Sequence, residues 1–174
     1  MAKHRPIGAL AKDIQAIRED IIGDPRNIYT AANYVQAAEK LLAPANNGTL
    51  RQSISVTVDA DPRHVYAHIG TNLAYASYVE FGTGPKGQRN HQGTSPEVPV
   101  AYQLDPWWIH ETQVPTGDIE KYHWQYIDTD QGRFYKIYGQ AAQPYLYPAV
   151  KNNEQIIGDL IAGSWEKAIR RKLK

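Results

Sequence analysis

The sequence predicts an α+β protein, because helical periodicity at both ends flanks a middle region whose apolar spacing falls to two. The expected parts are N-terminal helices, a mainly antiparallel β-sheet interrupted by a long aromatic loop and hairpin, and a C-terminal helix packed on the sheet. Three observations carry this. Leu10, Ile14, Ile17 and Ile21 recur at helical spacing among charged residues, which aligns them on one stripe. Ile54, Val56 and Val58 alternate with Ser53, Ser55, Thr57 and Asp59, the period of a strand with one wet face. Ile156, Ile157, Leu160, Ile161, Ala168, Ile169 and Leu173 return to helical spacing, and Lys167, Arg170, Arg171, Lys172 and Lys174 crowd the end, where cations suit the helix dipole.

Taken in order, the first helix should stop at Gly23-Asp24-Pro25, since Pro25 disfavours helical geometry in the residue before it. A second helix follows, with Asn27 as its expected cap and Ile28, Ala31, Ala32, Val35, Ala38, Leu41 and Leu42 at helical spacing up to Ala43-Pro44. Small alanines on that face allow close approach to a sheet. After the Asn46-Asn47-Gly48 turn comes the first strand. Asp59-Ala60-Asp61-Pro62-Arg63 supplies turn residues, and Val65, Ala67 and Ile69 continue the alternation as the second arm of an antiparallel hairpin.

The run Tyr75 to Phe81 fits a short helix through Tyr75, Tyr78 and Val79, although its aromatic content also suits a strand; the helix is the preferred reading. Glu80 lies among apolar neighbours and has two readings, an exposed or capped residue on a wet helix face, or a partner across a subunit boundary. Gly82 and Gly84 permit a sharp exit. Residues 85–120 are rich in turn formers and no long regular element fits them, so a functional or mobile loop is expected. Tyr122, Trp124 and Tyr126 then alternate with His123, Gln125 and Ile127, a turn follows at Asp128 to Gly132, and Arg133 to Tyr138 returns as the other arm of a second hairpin. With 174 residues, the chain is expected to be a single domain over 1–174, carrying 85–133 as an insertion.

Composition narrows the function. The balance of 19 basic and 18 acidic side chains, a net charge of +1, makes no field that argues for general nucleic-acid binding. There is no cysteine, which excludes disulfides, thiol catalysis and thiolate zinc sites. No apolar run approaches the roughly 20 residues needed to span a bilayer, and the opening MAKHRPIGALAKD lacks the apolar centre of a signal peptide. A soluble protein made in the cytoplasm is expected.

Enzyme-like constellations fail on their surroundings. His64 and His68 have zinc-protease spacing, but on an alternating strand the two lie about 13 Å apart and the motif's glutamate is missing. Asp128, Asp130 and Gly132 resemble a calcium loop only in part, since Gly139 stands where an EF-hand needs a bidentate glutamate. Gly82 to Gly87 lacks the spacing of a phosphate loop. Glu97, Asp105, Glu111, Asp118 and Glu120 have no separation readable from linear order, and Ser53, Ser55 and Ser77 lack a nucleophile elbow. No catalytic residue, cofactor or metal is expected. The aromatic insertion, with Tyr102, Trp107, Trp108, Tyr122, Trp124 and Tyr126, has three readings: packing within its own subdomain, contact with a subunit or partner, or glycan binding.

Three motifs in order add a resemblance. Leu73-Ala74-Tyr75-Ala76-Ser77-Tyr78-Val79-Glu80-Phe81-Gly82-Thr83-Gly84 and Gln143-Pro144-Tyr145-Leu146-Tyr147-Pro148-Ala149 resemble the signature "YA..VEFGTG … QPFL.PA" of small neck proteins of tailed bacteriophages, the tail-completion or head-tail joining family. Ala43-Pro44-Ala45-Asn46-Asn47-Gly48-Thr49-Leu50-Arg51-Gln52-Ser53-Ile54 resembles that family's "AP..TG.LR.SI" boundary, with Asn47 where threonine is usual. The resemblance implies a structural virion protein of the neck, made in the bacterial host cytoplasm. Its copies would form a ring, hexameric in the family, between head connector or adaptor proteins and the tail tube or tail terminator. The ring would enclose DNA without sequence-specific recognition and without a membrane. On this view the interface candidates are Tyr75, Tyr78, Glu80, Phe81, Gly82, Gly84, the segment Gly82 to Pro99, Trp107, Trp108, Pro144, Tyr145, Leu146, Tyr147 and Pro148. The alternatives are a glycan- or host-surface-binding module using the Trp/Tyr insertion, and a small cell-wall hydrolase relying on carboxylates such as Glu111 or Glu120.

Overall fold

The computed structural model describes residues 7–45, 48–61 and 64–172, and it is α+β as the periodicities require. The chain divides into two compact units, one made of 1–73 with 148–174 and the other of 74–147.

In the first unit, α1 (Ile7–Gly23) and α2 (Arg26–Leu42) are separated at the expected Gly-Asp-Pro break. The cap differs from expectation. Pro25 rather than Asn27 occupies the N-cap position, and Asp24 does the capping work. Its Oδ1 accepts the Arg26 backbone N–H at 3.0 Å and Nε at 2.8 Å, and its Oδ2 accepts Nη2 at 2.8 Å. The hydrogen-bonded guanidinium holds the Asp24 carboxyl below the usual carboxylate range.

Ala31, Ala32 and Val35 form the buried face of α2, which lies on the hairpin β1 (Ser55–Ala60) and β2 (Val65–Gly70). The strands pair antiparallel with Val56 opposite Ile69 and Val58 opposite Ala67. α8 (Glu154–Lys172) buries Ala168 and packs mainly on α2 and α1, so the C-terminal helix is linked to this hairpin through α2. Leu41 and Leu42, read as core from their spacing, are exposed, while Glu39 on the inward face is only 2 % exposed. Ile14 and Ile156 are also exposed; the side chains of Leu10 and Leu173 lie outside the described residues. A further correction concerns the approach to β1, where a short helix α3 (Thr49–Ser53) starts from Gly48 in the left-handed region. It buries Leu50 and sends Arg51 Nε to the Ala43 carbonyl at 2.7 Å, which closes the corner after α2. The Asn46-Asn47 part of the turn lies outside the described residues.

The second unit holds α4 (Ala76–Phe81), α5 (Gly84–Arg89), β3 (Trp107–His110), a 3-10 turn at Glu111–Gln113, α6 (Thr116–Tyr122), β4 (Tyr126–Thr129) and β5 (Gly132–Ile137). Residues 85–120 are therefore more regular than their glycine and proline content suggested. The strands run in the order β3-β5-β4, all neighbours antiparallel. The second hairpin begins later than the aromatic alternation implied. Tyr122 ends α6, His123 turns in the left-handed region, and its N–H closes on the Ile119 carbonyl at 3.3 Å. That turn lets Trp124 pack with Val114, Tyr135, Ile137, Trp107, Ile109 and Ile119 in the core of this unit.

Candidate functional site

Two of the three sequence motifs meet within the second unit, at a joint made mostly of backbone. α4 ends at Gly82, whose positive φ of 75° suits glycine and whose N–H donates to the Tyr78 carbonyl. The chain then runs beside residues 138–143. Thr83 and Gln140 exchange backbone hydrogen bonds at 2.9 and 3.1 Å, Lys86 N–H reaches the Tyr138 carbonyl at 3.1 Å, and Gln143 N–H reaches the Val79 carbonyl at 2.8 Å. The Gln140 amide adds a bond to the Tyr78 carbonyl at 2.9 Å, and the Tyr102 hydroxyl donates to the Phe81 carbonyl at 2.8 Å.

The glycines explain how the strands of this joint come so close. A Cβ on Gly82 would lie 2.7 Å from both Ala142 N and the Gln140 carbonyl; on Gly84, 2.9 Å from the Tyr138 carbonyl; on Gly87, 2.8 Å from the Gly82 carbonyl carbon. At Gly139 it would run into the Thr83 carbonyl. The Gly-Thr-Gly-Pro-Lys-Gly run thus serves a backbone-on-backbone contact. Gly87, Gly139 and Tyr102 were weighed from sequence in other roles, and Gln140 was not singled out. The signal available was that three glycines recur within six residues of the motif and another directly follows a strand.

Glu80 is the charged centre of the joint. It is 1 % exposed, contrary to the expectation of a wet helix face. Its Oε2 accepts the N–H groups of Tyr145 at 2.7 Å and Leu146 at 2.9 Å, and its Oε1 accepts that of Tyr147 at 3.1 Å. These donors open α7 (Leu146–Lys151), where N–H groups have no partner within their own helix and negative charge is favoured. Glu80 therefore fastens one motif to the other inside the chain.

The remaining candidates separate by exposure. Tyr145 is fully buried, Gly82 and Gly84 are buried, and Phe81, Pro144, Leu146, Tyr147 and Pro148 are half-buried. Tyr75 and Tyr78 are open to solvent, Tyr78 at 58 %. Of the adjacent tryptophans, Trp107 belongs to the core of the unit whereas Trp108 is 43 % exposed. Trp108 sits opposite Lys136 in the sheet, and Lys136 Nζ lies 5.9 Å from the Trp108 ring and 5.6 Å from that of Tyr138. Tyr122 and Tyr126 are also exposed; Tyr122 stacks on Trp124 at 5.4 Å and Arg133 covers the Tyr126 ring at 4.0 Å. The segment from Gly82 to Asn90 is held by the joint and by α5, so within Gly82 to Pro99 the stretch without helix or strand is 91–99.

The rejected constellations are placed as ordinary structure. Tyr66 and His68 lie on the wet face of β2 and exposed His64 just precedes it, with His64 and Tyr66 centroids 5.6 Å apart. Asp128 pairs with Arg133 at 2.7 Å beside the β4–β5 turn, and the hydrogen-bonded guanidinium holds its carboxyl below the usual range. Among the described residues no group of three or more His, Asp or Glu side chains is placed to hold a metal, and no helix is long and apolar enough to cross a membrane.

Residues 26–82 match the HK97-gp10-like family model, described as "Bacteriophage HK97-gp10, putative tail-component". The matched stretch runs from the first residue of α2 through Gly82, so it contains the Ala43 to Ile54 motif and all of α4. No curated protein and no solved structure matches the chain. The match supports a structural role in a bacteriophage particle, in contact with other virion proteins.

Proposed function

We propose that this chain is a neck component of a tailed phage, whose copies form a closed ring that completes the tail and joins it to the head connector around the DNA passage. The match of residues 26–82 to a tail-component family carries this reading, and the paired neck-type motifs bring the position within the particle. A head-to-tail contact repeated around a rotation axis lets one small chain enclose a passage without any catalytic group. Six copies, head connector or adaptor proteins on one side and the tail tube or terminator on the other are what the resemblance implies. Residues 1–174 act as one joining domain on this view, with 85–133 as its insertion, and the protein performs no reaction.

The exposure pattern supports a division of the work on this reading. Tyr75, Tyr78 and Trp108 present aromatic surface of the kind that anchors interfaces. Glu80, Gly82, Gly84 and the Pro144 to Pro148 run hold the backbone that carries them, and their contribution to assembly is indirect. The irregular stretch from His91 to Pro99 becomes ordered against a neighbour, at an entropic cost that new contacts offset.

Electron microscopy of lysates from a phage with an early stop codon in this gene tests the reading. Filled heads beside separate tails, with whole particles restored by the gene in trans, are expected. Intact tailed particles that fail only at adsorption would overturn the neck assignment.

A further inference from the structure

The C-terminal part of α8 carries a charge pattern that the joining role does not use. Ser164, Lys167, Arg170 and Arg171 line a shallow, open concavity. At about 100° per residue these four positions fall in one sector of roughly 120°, and Lys167 and Arg171 are separated by about 6 Å of helix rise. Across Ser164 to Lys172 there are four cations, Lys167, Arg170, Arg171 and Lys172, and one carboxylate, Glu166. That is a local charge of +3 in a chain whose total is +1, so the remainder sums to −2 and the positive charge is concentrated here.

The cations differ in how they are held. Arg170 is tied to Glu166, with Nη2 at 2.6 Å and Nε at 2.9 Å from Oε1. Lys167 and Arg171 have no carboxylate within ion-pair distance among the described residues. Arg171 acts on Asp24 only through its field, as a minor influence lowering that carboxyl, because Asp24 already holds Arg26. A favourable interaction with the helix dipole accounts for cations in the last turn, but Lys167 stands a turn earlier. The Ser164 hydroxyl donates to the Leu160 carbonyl at 3.0 Å, so Ser164 contributes room rather than charge. The open shape does not enclose a small anion and suits an extended polyanion lying across it.

We propose that this face of α8 binds the phosphodiester backbone of nucleic acid, through Lys167 and Arg171 with Arg170 in reserve, and without reading its sequence. Duplex DNA carries about one negative charge per 1.7 Å of its axis, so cations one helical turn apart both meet a dense line of phosphates. Contacts of this kind release counterions, which makes the affinity fall steeply with salt. The proposal stands on the charge pattern alone and does not depend on the neck reading.

Fluorescence anisotropy of labelled duplex DNA of arbitrary sequence, titrated with the full chain over a salt series, tests it. Lys167→Gln with Arg171→Gln should weaken binding roughly tenfold or more at low salt and lower the salt slope by about two. Glu166→Gln, which releases Arg170, should tighten binding. Lys86→Gln with Arg89→Gln removes the same charge from α5 and should leave the affinity within about twofold of wild type. No binding, equal losses from both double variants, or weaker binding by Glu166→Gln would each overturn the proposal. Competition by polyglutamate as strong as by unlabelled DNA would overturn it in favour of an acidic protein partner.

Discussion

Gly158 and Gly163 on α8 have open space where a side chain would stand, whereas Gly82, Gly84, Gly87 and Gly139 are pressed against other backbone. The same residue type thus has opposite consequences on α8 and at the joint. The unit of α1, α2, the β1–β2 hairpin and α8 is organised by side chains, with Ala31, Ala32, Val35, Leu50, Ile54 and Ala168 in its core. Around α4 and α5 the organisation comes from main-chain hydrogen bonds, one buried carboxylate and the absence of side chains. A periodic stripe tolerates replacement of one member by another of similar volume. A backbone contact has no such latitude, because any Cβ meets an atom that cannot move aside.

Substitutions with alanine should divide along this line. Gly82→Ala combines a positive φ with contacts of 2.7 Å and should destabilise by about 3 kcal/mol, with Gly139→Ala at least as severe. Gly158→Ala should instead stabilise by roughly 0.5–1 kcal/mol, because glycine in a helix interior costs that much relative to alanine. Urea denaturation of the two variants checks both signs; a neutral Gly82→Ala would mean that the joint is looser than its geometry.

Glu80→Gln sharpens the comparison from the polar side. The amide keeps one acceptor but turns an N–H₂ group toward backbone donors, so a loss of about 2–3 kcal/mol is expected. Glu80→Ala should cost at least as much. A change below about 0.5 kcal/mol in thermal melts would show that the three N–H groups are satisfied in another way. Tyr102→Phe removes only the hydroxyl bond to the Phe81 carbonyl and should cost about 1 kcal/mol.

The smallest expected effect is on the acid limb of stability. Asp24 and Asp128 have folded-state carboxyls lowered by their arginine partners. Each therefore contributes above its ordinary unfolded value, and the contribution is lost as pH falls through the lowered folded value. Both pairs meet solvent, so screening keeps them weak. Asp128→Asn should leave the neutral melting temperature nearly unchanged and slightly flatten its decline on acidification; a large drop at neutral pH would contradict this.

The same contrast explains what could be read in the residues beforehand. The α1–α2 break was legible because Gly23-Asp24-Pro25 interrupts helical backbone geometry, and the β1–β2 hairpin and α8 because the Val56 to Ile69 alternation and the Ile157 to Ile169 spacing report burial of side chains. Short α3 was not, since a single helical turn leaves too few positions for a period to show. Tyr122, Trp124 and Tyr126 alternate in sequence without sharing a strand, because Tyr122 ends α6, His123 turns in the left-handed region and Tyr126 starts β4. The motif residues Glu80 and Gly82 stood out in the chain, but their partners, N–H groups of Tyr145 to Tyr147 and backbone at Gln140 to Ala142, lie some sixty positions away. Main-chain partners leave no mark on residue identity, so Glu80 looked as much like a surface residue as a buried one.

The proposed function requires that Tyr78, held outward on α4 beside this joint, and Trp108 on β3 serve as assembly contacts. Its most direct test is to complement the stop-codon phage with a Tyr78→Gln, Trp108→Thr variant whose melting temperature has been shown to match wild type. The account predicts a stable protein and an accumulation of unjoined heads and tails in micrographs. Whole particles restored to the wild-type fraction by that variant would contradict it.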